Sequence, residues 1–332
     1  MFDYHGMRSE MYYTPQISQL PPEDHPTQWV GDRSVDFIQH CAPDRPMFLF
    51  SSFDPFPSAL LPARAVAKAV PGGPTPLCPT PEDLETFSDL IGDRCSCERL
   101  LMSRQDVLRS KNFYYACVSF VDYQVGRIIA ALKEKGMYDD TLILFSSDHG
   151  DMMGDYNAIG KRTMVDSSGH VPLMIHVPGH GHERRQDPCS LVDIAPTLLR
   201  YVGAPYDPRE FDGVDLFAPS ERTYVYSQHG CGSGGTYMIT DGRDKLVYSA
   251  ARDKYYFFDQ IPEMRSIYDA EHPKIQEMQR KLDAYRRSDV NKEKREQDLR
   301  KGDKNASPLS RPDGSHPVSQ RRAGGNSAGI PD

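Results

Sequence analysis

Apolar residues along the chain recur in two different periods, and the change from one to the other marks out the elements. Over residues 27–39, Trp29, Val30, Val35 and Ile38 are spaced as on one face of a helix, and residues 46–53 (PMFLFSSF) form a short apolar run of buried-strand type. Residues 112–135 carry Tyr114, Cys117, Val121, Val125, Ile128 and Leu132 at steps of three and four, with Gly136 where a helix C-cap would sit. TLILFSS (141–147) and VPLMIHV (171–177) are two further apolar strand runs. Helices alternating with fully apolar strands predict an α/β fold with a mostly parallel central sheet flanked by helices.

Beyond a helical stretch over residues 193–202, with Pro196 tolerable in its first turn, the pattern changes. YMIT and KLVYS flank Asp241-Gly242 as a hairpin, YYFFD supplies another strand, and residues 272–287 have an amphipathic helical period. This predicts a small C-terminal antiparallel α+β subdomain over 223–285, after an α/β domain over 1–222. Residues 54–82 hold eight prolines and predict an irregular excursion. Residues 286–332 are polar, end in RRAGGNSAGIPD and cannot bury enough apolar surface to offset their ordering entropy, so they are expected to be a disordered tail.

Charge narrows the partners. Of 332 residues, 39 are Lys or Arg and 47 Asp or Glu, a net −8. The tail holds 11 Lys or Arg against 7 Asp or Glu, which leaves about −12 on residues 1–285. Such a charge does not suit a phosphate backbone or an anionic bilayer, so neither nucleic acid nor a membrane is an expected partner. No apolar run approaches the roughly 18–20 residues that span a bilayer, and MFDYHGMRSEMYY lacks the form of an export signal. The seven cysteines are odd in number and scattered, which favours a reducing compartment, with the cytoplasm as the default.

Ligands of open α/β sheets collect beyond the carboxyl ends of the strands. SSDHGDMMGD (146–155) begins at such an end. Asp148 and His149 offer a carboxylate oxygen and an imidazole nitrogen to a divalent cation, and Gly150 permits the sharp turn that would aim both. The plainer alternative is a polar turn that caps the next element. Lys161, twelve residues on, could hold an anionic oxygen beside the metal, or be an ordinary solvated lysine. Cys95 and Cys97 with Cys78 lack the paired spacing of a zinc knuckle. His176, His180 and His182 flank a Pro-Gly turn and suit a solvated loop, and the glycine-rich 230–235 suits a connection rather than a phosphate loop.

The stretch 114–179, from YYACVSFVDYQVG through LILFSSDHGDMMGD and GKRT to VPLMIHVPG, closely resembles the sulfatase family of the alkaline phosphatase superfamily. HPTQWVGDRSVDFI with PMFLFSSF, SLVDIAPTLL, and DGRDKLVYSA with YYFFDQIPEMRSIYD extend the resemblance over about residues 20–275, in family order. The resemblance implies hydrolysis of sulfuric esters. It makes Asp148 and His149 ligands of one divalent metal, Ca2+ before Mn2+ or another ion, and Lys161 the cation on the transferred group of a small anionic ester. In the family a metal-bound formylglycine hydrate attacks the ester sulfur. Relatives that cleave phosphate diesters or phosphonate monoesters use the same parts.

Two departures qualify the carry-over. The family's Cys-x-Pro-Ser-Arg nucleophile motif and an earlier acidic pair precede the matched segments, and no counterpart stands before residue 20. Cys41-Ala-Pro-Asp-Arg keeps part of that motif, but it follows a helix and precedes a strand, the reverse of the family's order. Phe56 stands near the position where relatives have a histidine, and a phenyl ring cannot donate a hydrogen bond. The expectation is therefore an incomplete copy of the enzyme, 1–222 being the later part of its catalytic domain, which does not by itself hydrolyse an aryl sulfate. A non-catalytic remnant that acts as a binding module is the alternative.

Overall fold

His25 and Ser103 start the two helices on which the rest is laid. The His25 ring accepts from the Thr27 amide at 3.2 Å and Pro26 fills the first turn, where no amide donor is needed, so α1 runs Pro26–His40. Ser103 and Asp106 form a reciprocal capping box that opens a 31-residue helix, Arg104–Glu134. That helix begins eight residues before its apolar period becomes readable, because the box satisfies its first amides without needing an apolar face. Gly136 ends it with φ +69°. The computed structural model describes residues 17–18, 20–42, 45–53, 76, 80–91, 97, 101–230, 232–259 and 262–288. Between these helices lies α2, Pro81–Ile91, which the sequence pattern did not predict, and the long helix is α3.

α1 and α3 pack through a polar seam at Gly31. A Cβ there would come within 2.1 Å of the Gln124 Oε1, so the glycine admits the buried Gln124. Gln124 in turn donates to Gln28 at 2.8 Å, and Arg127 donates to both Gln124 and Asp32. Ile38, Ala131 and Leu132 close the seam with Met47, Leu49 and Ile143 against them.

Residues 46–53 run extended beside this layer without ladder bonds among the described residues. Met47 and Leu49 face the helices, while Phe48 and Phe50 are 78% and 80% exposed. The sequence pattern predicts a strand covered on both faces; the structure covers one. Two runs do form strands, β1 (Ile143–Ser146) and β4 (Leu173–His176). They pair antiparallel, Ile143 opposite His176 and Ser146 opposite Leu173, where a parallel neighbour is predicted. The intervening loop leaves and re-enters at the same end of the pair, a path that permits only the antiparallel direction. That loop contains the small ladder of β2 (Met152–Met153) with β3 (Ile159–Gly160), then the one-turn α4 (Asp166–Gly169). After β4 comes α5, Ile194–Tyr201, as expected around Pro196.

A four-stranded antiparallel sheet follows: β5 (Val225–His229), β6 (Thr236–Thr240), β7 (Lys245–Ser249) and β8 (Lys254–Phe258), in sequential order. The predicted hairpin is β6–β7, closed with Gly242 at φ +92°; the glycine-rich 232–235 connects β5 to β6. Period-two alternation gives the sheet two buried faces. Leu246, Tyr248 and Phe257 meet Ile275, Met278 and Leu282 of α6 (Pro273–Arg287), and Val247, Tyr256 and Phe258 meet Met152, Tyr156, Met164 and Val165 of the loop between β1 and β4. The antiparallel sheet therefore stands directly behind that loop. The described residues up to Arg287 belong to one compact unit. The tail predicted from residue 286 lies, from 289 onward, outside the described residues.

Candidate metal and anion site

Asp148 and His149 sit just past the end of β1, where the strand hands over to the loop. The His149 amide donates to Asp148 Oδ1 at 2.9 Å, which orients the carboxylate and leaves Oδ2 free of that contact. Ser147 donates to the His149 carbonyl at 2.9 Å and steadies the turn. His149 Nδ1 lies 2.8 Å from the Gly150 carbonyl, a group that can only accept, so Nδ1 carries a proton and Nε2 is the ring nitrogen left facing Asp148. Nε2 lies 3.2 Å from Asp148 Oδ2. That approach is satisfied by a proton on Nε2 or by a cation held between the two atoms. Neighbouring ligands at right angles around a divalent cation, with bonds of about 2.1–2.5 Å, are roughly 3.0–3.5 Å apart. The donor pair fits such an ion, and a backbone carbonyl on the far imidazole nitrogen is the usual way to orient a ligating histidine.

Gly150 holds this turn in place. Its amide donates to Ser168 O at 2.8 Å, and a Cβ would meet Ser167 O at 2.3 Å, so α4 rests directly on the turn. Lys161 follows β3 on the returning half of the loop and is half-buried. The turn between the two halves is tight: Gly154, Tyr156, Asn157, Gly160 and Arg162 all have positive φ. Non-glycine residues in this region cost about 1–2 kcal/mol each, held here by the packing of Tyr156 on Phe87 at 4.2 Å and by the Lys111–Asp155 pair at 3.3 Å.

Asp151 is the residue that reading the motif missed. Burial pushes its carboxyl up, opposed by the Lys161 charge, the Gly160 amide and His149, so it lies among the predicted site residues. Its Oδ1 is shielded from solvent and meets no donor among the described residues. The only sequence signal is its place in Asp-His-Gly-Asp, where a fourth acid at a turn looks like a solvated one. Tyr114 of α3 faces the same charges and is pushed up, mainly by burial and then by Asp151.

Asp148, His149, Asp151 and Lys161 all line one open hollow of about 3400 Å³ that continues over Phe48, Phe50 and Met174. A small-ligand pocket holds about 300–1,000 Å³, so this is an open face rather than a fitted pocket. Among the described residues, no group of three or more His, Cys, Asp or Glu side chains gathers as a metal cage. Of the other described candidates, His176, His180 and His182 line the same hollow, but none is among the groups whose charges meet at Asp151. Cys41 caps α1 and is half-buried, and Cys97 packs in an apolar core with Val107, Phe113 and Ile159. His176 stacks on Tyr138 at 4.4 Å, while His180 and His182 are exposed. Phe56, Cys78, Cys95 and Asp44 lie outside the described residues.

Residues 1–204, the part that carries every group in this cluster, match the family described as Sulfatase. The chain belongs to the sulfatase family. It is 31% identical over 248 residues to an arylsulfatase of Clostridium perfringens, which covers 71% of this chain and 51% of the relative. It is 32% identical over 213 residues to a choline-sulfatase of Rhizobium meliloti, 62% of this chain and 42% of that one. This sulfatase chain thus spans about half the length of the curated relatives it matches. Its fold is that of a phosphonate monoester hydrolase from Silicibacter pomeroyi (TM-score 0.64, 24% identity, 87% of this chain and 66% of the other). The phosphonate monoester hydrolase of Agrobacterium radiobacter is similar too (TM-score 0.68, 21% identity, 83% and 66%). Both likenesses bear out the α/β fold expected of the superfamily. Among the described residues, no helix is long and apolar enough to cross a membrane.

Proposed function

We propose that this chain supplies the Asp148, His149 and Lys161 side of a metal-dependent site for the hydrolysis of small anionic sulfuric esters, with Ca2+ the first choice of cation and Mn2+ the second. The observation that carries the reading is the approach of Asp148 Oδ2 to His149 Nε2 at 3.2 Å, with the other ring nitrogen engaged by the Gly150 carbonyl. A divalent cation bound there supplies Lewis-acid stabilisation of an ester oxygen on which charge accumulates. Gly150 and Ser168 hold the two donors in place, and Lys161 neutralises a further oxygen of the same group. Asp151, whose carboxyl feels the Lys161 charge, offsets the ammonium while no anion is bound. The acidic balance of the chain leaves anion binding to this local charge and speaks against nucleic acid as substrate. On this reading residues 1–222 carry the chemistry and 223–285 support it.

Phosphonate monoester hydrolysis is the second reading, supported by the fold shared with two such hydrolases. A cation-binding module without turnover is the third. Calorimetric titration of the chain with Ca2+ and with Mn2+ tests the metal site: binding is expected in the wild type and lost in Asp148→Ala. Equal binding by both refutes it. Turnover of 4-nitrophenyl sulfate or of a nitrophenyl phosphonate would assign the ester class. The described donors fill only part of a cation's shell, so the chain alone is expected to be inactive on both. Turnover that survives Lys161→Ala would overturn the role given to Lys161.

A further inference from the structure

The geometry points to Lys245 and Glu263 of the C-terminal subdomain as positioning residues for the Asp148-His149 turn. Both are removed from solvent, at 3% and 0% exposure. Alternation along β7 turns Lys245 to the same face as Val247, toward the loop between β1 and β4, rather than toward α6. There its ammonium donates to the Met164 carbonyl at 3.0 Å, to the Asp166 carboxylate and to Glu263. Glu263 accepts the Asp166 amide at 3.2 Å and the Tyr156 hydroxyl at 3.1 Å. His170 completes the charge set, 3.0 Å from Asp166. One lysine and one glutamate thus hold both the strained turn at Tyr156 and the first residue of α4.

The other end of α4 is the Ser168 carbonyl that receives the Gly150 amide, with no slack in between, since a Cβ on Gly150 would already overlap Ser167. A shift of α4 is therefore passed to the residue that follows His149 and whose carbonyl orients its ring. The buried charges face polar groups on every side, as a charge far from water requires. An apolar contact would have fixed the sheet to the loop equally well; a lysine with three directed donors also fixes its angle.

Amide exchange on the purified chain tests the relay, with the Gly150 amide as reporter and the β6–β7 amides of Ile239 and Leu246 as the folding control. Mn2+ titration is the second arm, and only that arm rests on the metal reading of Asp148 and His149. In Lys245→Met, Gly150 and residues 166–169 are expected to exchange roughly tenfold faster with the hairpin still protected, as when hydrogen bonds to a charged group are lost. Mn2+ affinity is expected to fall about tenfold, the low end for a residue outside the ligand shell. Glu263→Gln, which keeps the volume, should show the same pattern more weakly if Lys245→Met does not fold. Exchange at Gly150 within twofold of wild type in a folded variant overturns the proposal. So does a uniform rise that includes the hairpin in both variants, which marks a purely structural role. Absence of Mn2+ binding in the wild type, with the exchange pattern as expected, would instead sink the metal reading and leave the relay standing.

Discussion

Replacing Gly150 by alanine and Gly126 by alanine makes the same chemical change at two positions and is expected to move stability in opposite directions. At Gly150 the new Cβ would lie 2.3 Å from Ser167 O and 3.1 Å from Ser167 C, both backbone atoms that cannot swing away. An ordinary carbon–oxygen contact is close to 3.4 Å, so α4 and the turn must part by about 1 Å, and overpacking of this kind costs roughly 1–3 kcal/mol. The same movement stretches the 2.8 Å bond from the Gly150 amide to Ser168 O past its useful range. That loss adds about 1 kcal/mol. Reduced freedom of the unfolded chain returns about 0.4–1 kcal/mol, for a net loss of roughly 1–3.5 kcal/mol. Gly126 is exposed in the middle of α3 with nothing within 4 Å of its Cβ position, so alanine there meets no resistance. It should stabilise by about 0.5–1 kcal/mol through helix propensity. Urea unfolding followed by far-ultraviolet circular dichroism, with the m-value checked for constancy, measures both. A Gly150→Ala change within about 0.5 kcal/mol of wild type would refute the close packing of α4 on the turn, since that is the range of surface substitutions without consequence.

Asp193 is fully buried and accepts from the amides of Ser190 and Val214 and from both terminal nitrogens of Arg222 at 2.7 and 2.6 Å. Asp193→Ala strands a guanidinium and should cost about 3–5 kcal/mol by denaturant unfolding. Burial raises the Asp193 carboxyl, yet the Arg222 and backbone donors outweigh it and leave it lowered. Its contribution is thus present above about pH 3.9 and fades as pH falls through the lower folded value, a dependence that Asp193→Ala should lack. His170 is raised, first by its hydrogen bond to Asp166, against burial. The pair's contribution is full below about pH 6.5 and disappears as pH rises through the folded value, and at 73% side-chain exposure it should stay under about 1 kcal/mol. A proton titration of the His170 ring by magnetic resonance that gives a value at or below the ordinary one would refute the pairing. Ser103→Ala should cost about 1 kcal/mol and fray the start of α3, visible as faster exchange over residues 104–107.

The elements most visible in the sequence are those whose information is local. The three- and four-residue period of α3, the helical period over residues 27–39 in α1 and the Asp241-Gly242 turn each depend on neighbours within a few residues, and each stands where the pattern puts it. The start of α3 escaped the period because its box of Ser103 and Asp106 is polar and exposed. Asp148, His149 and Lys161 were readable as residue types in a motif. Their meeting in one hollow, and the addition of Asp151, depend on how the loop folds back.

Strand direction shows the division clearly. An apolar run says that a strand is buried and nothing about which way its neighbour points; Ile143 meets His176 across 33 residues because of the path the loop takes between them. Lys245 is the other case. In KLVYS it reads as the polar first residue of a strand, and only the alternation of a sheet packed on both faces turns it inward, to partners 79 and 18 residues away. Periodicity and capping act over one or two turns of chain and survive in the bare sequence. Pairing direction, the burial of a charge and the support of a site arise from contacts between segments far apart in the chain, and the folded arrangement alone brings those segments together.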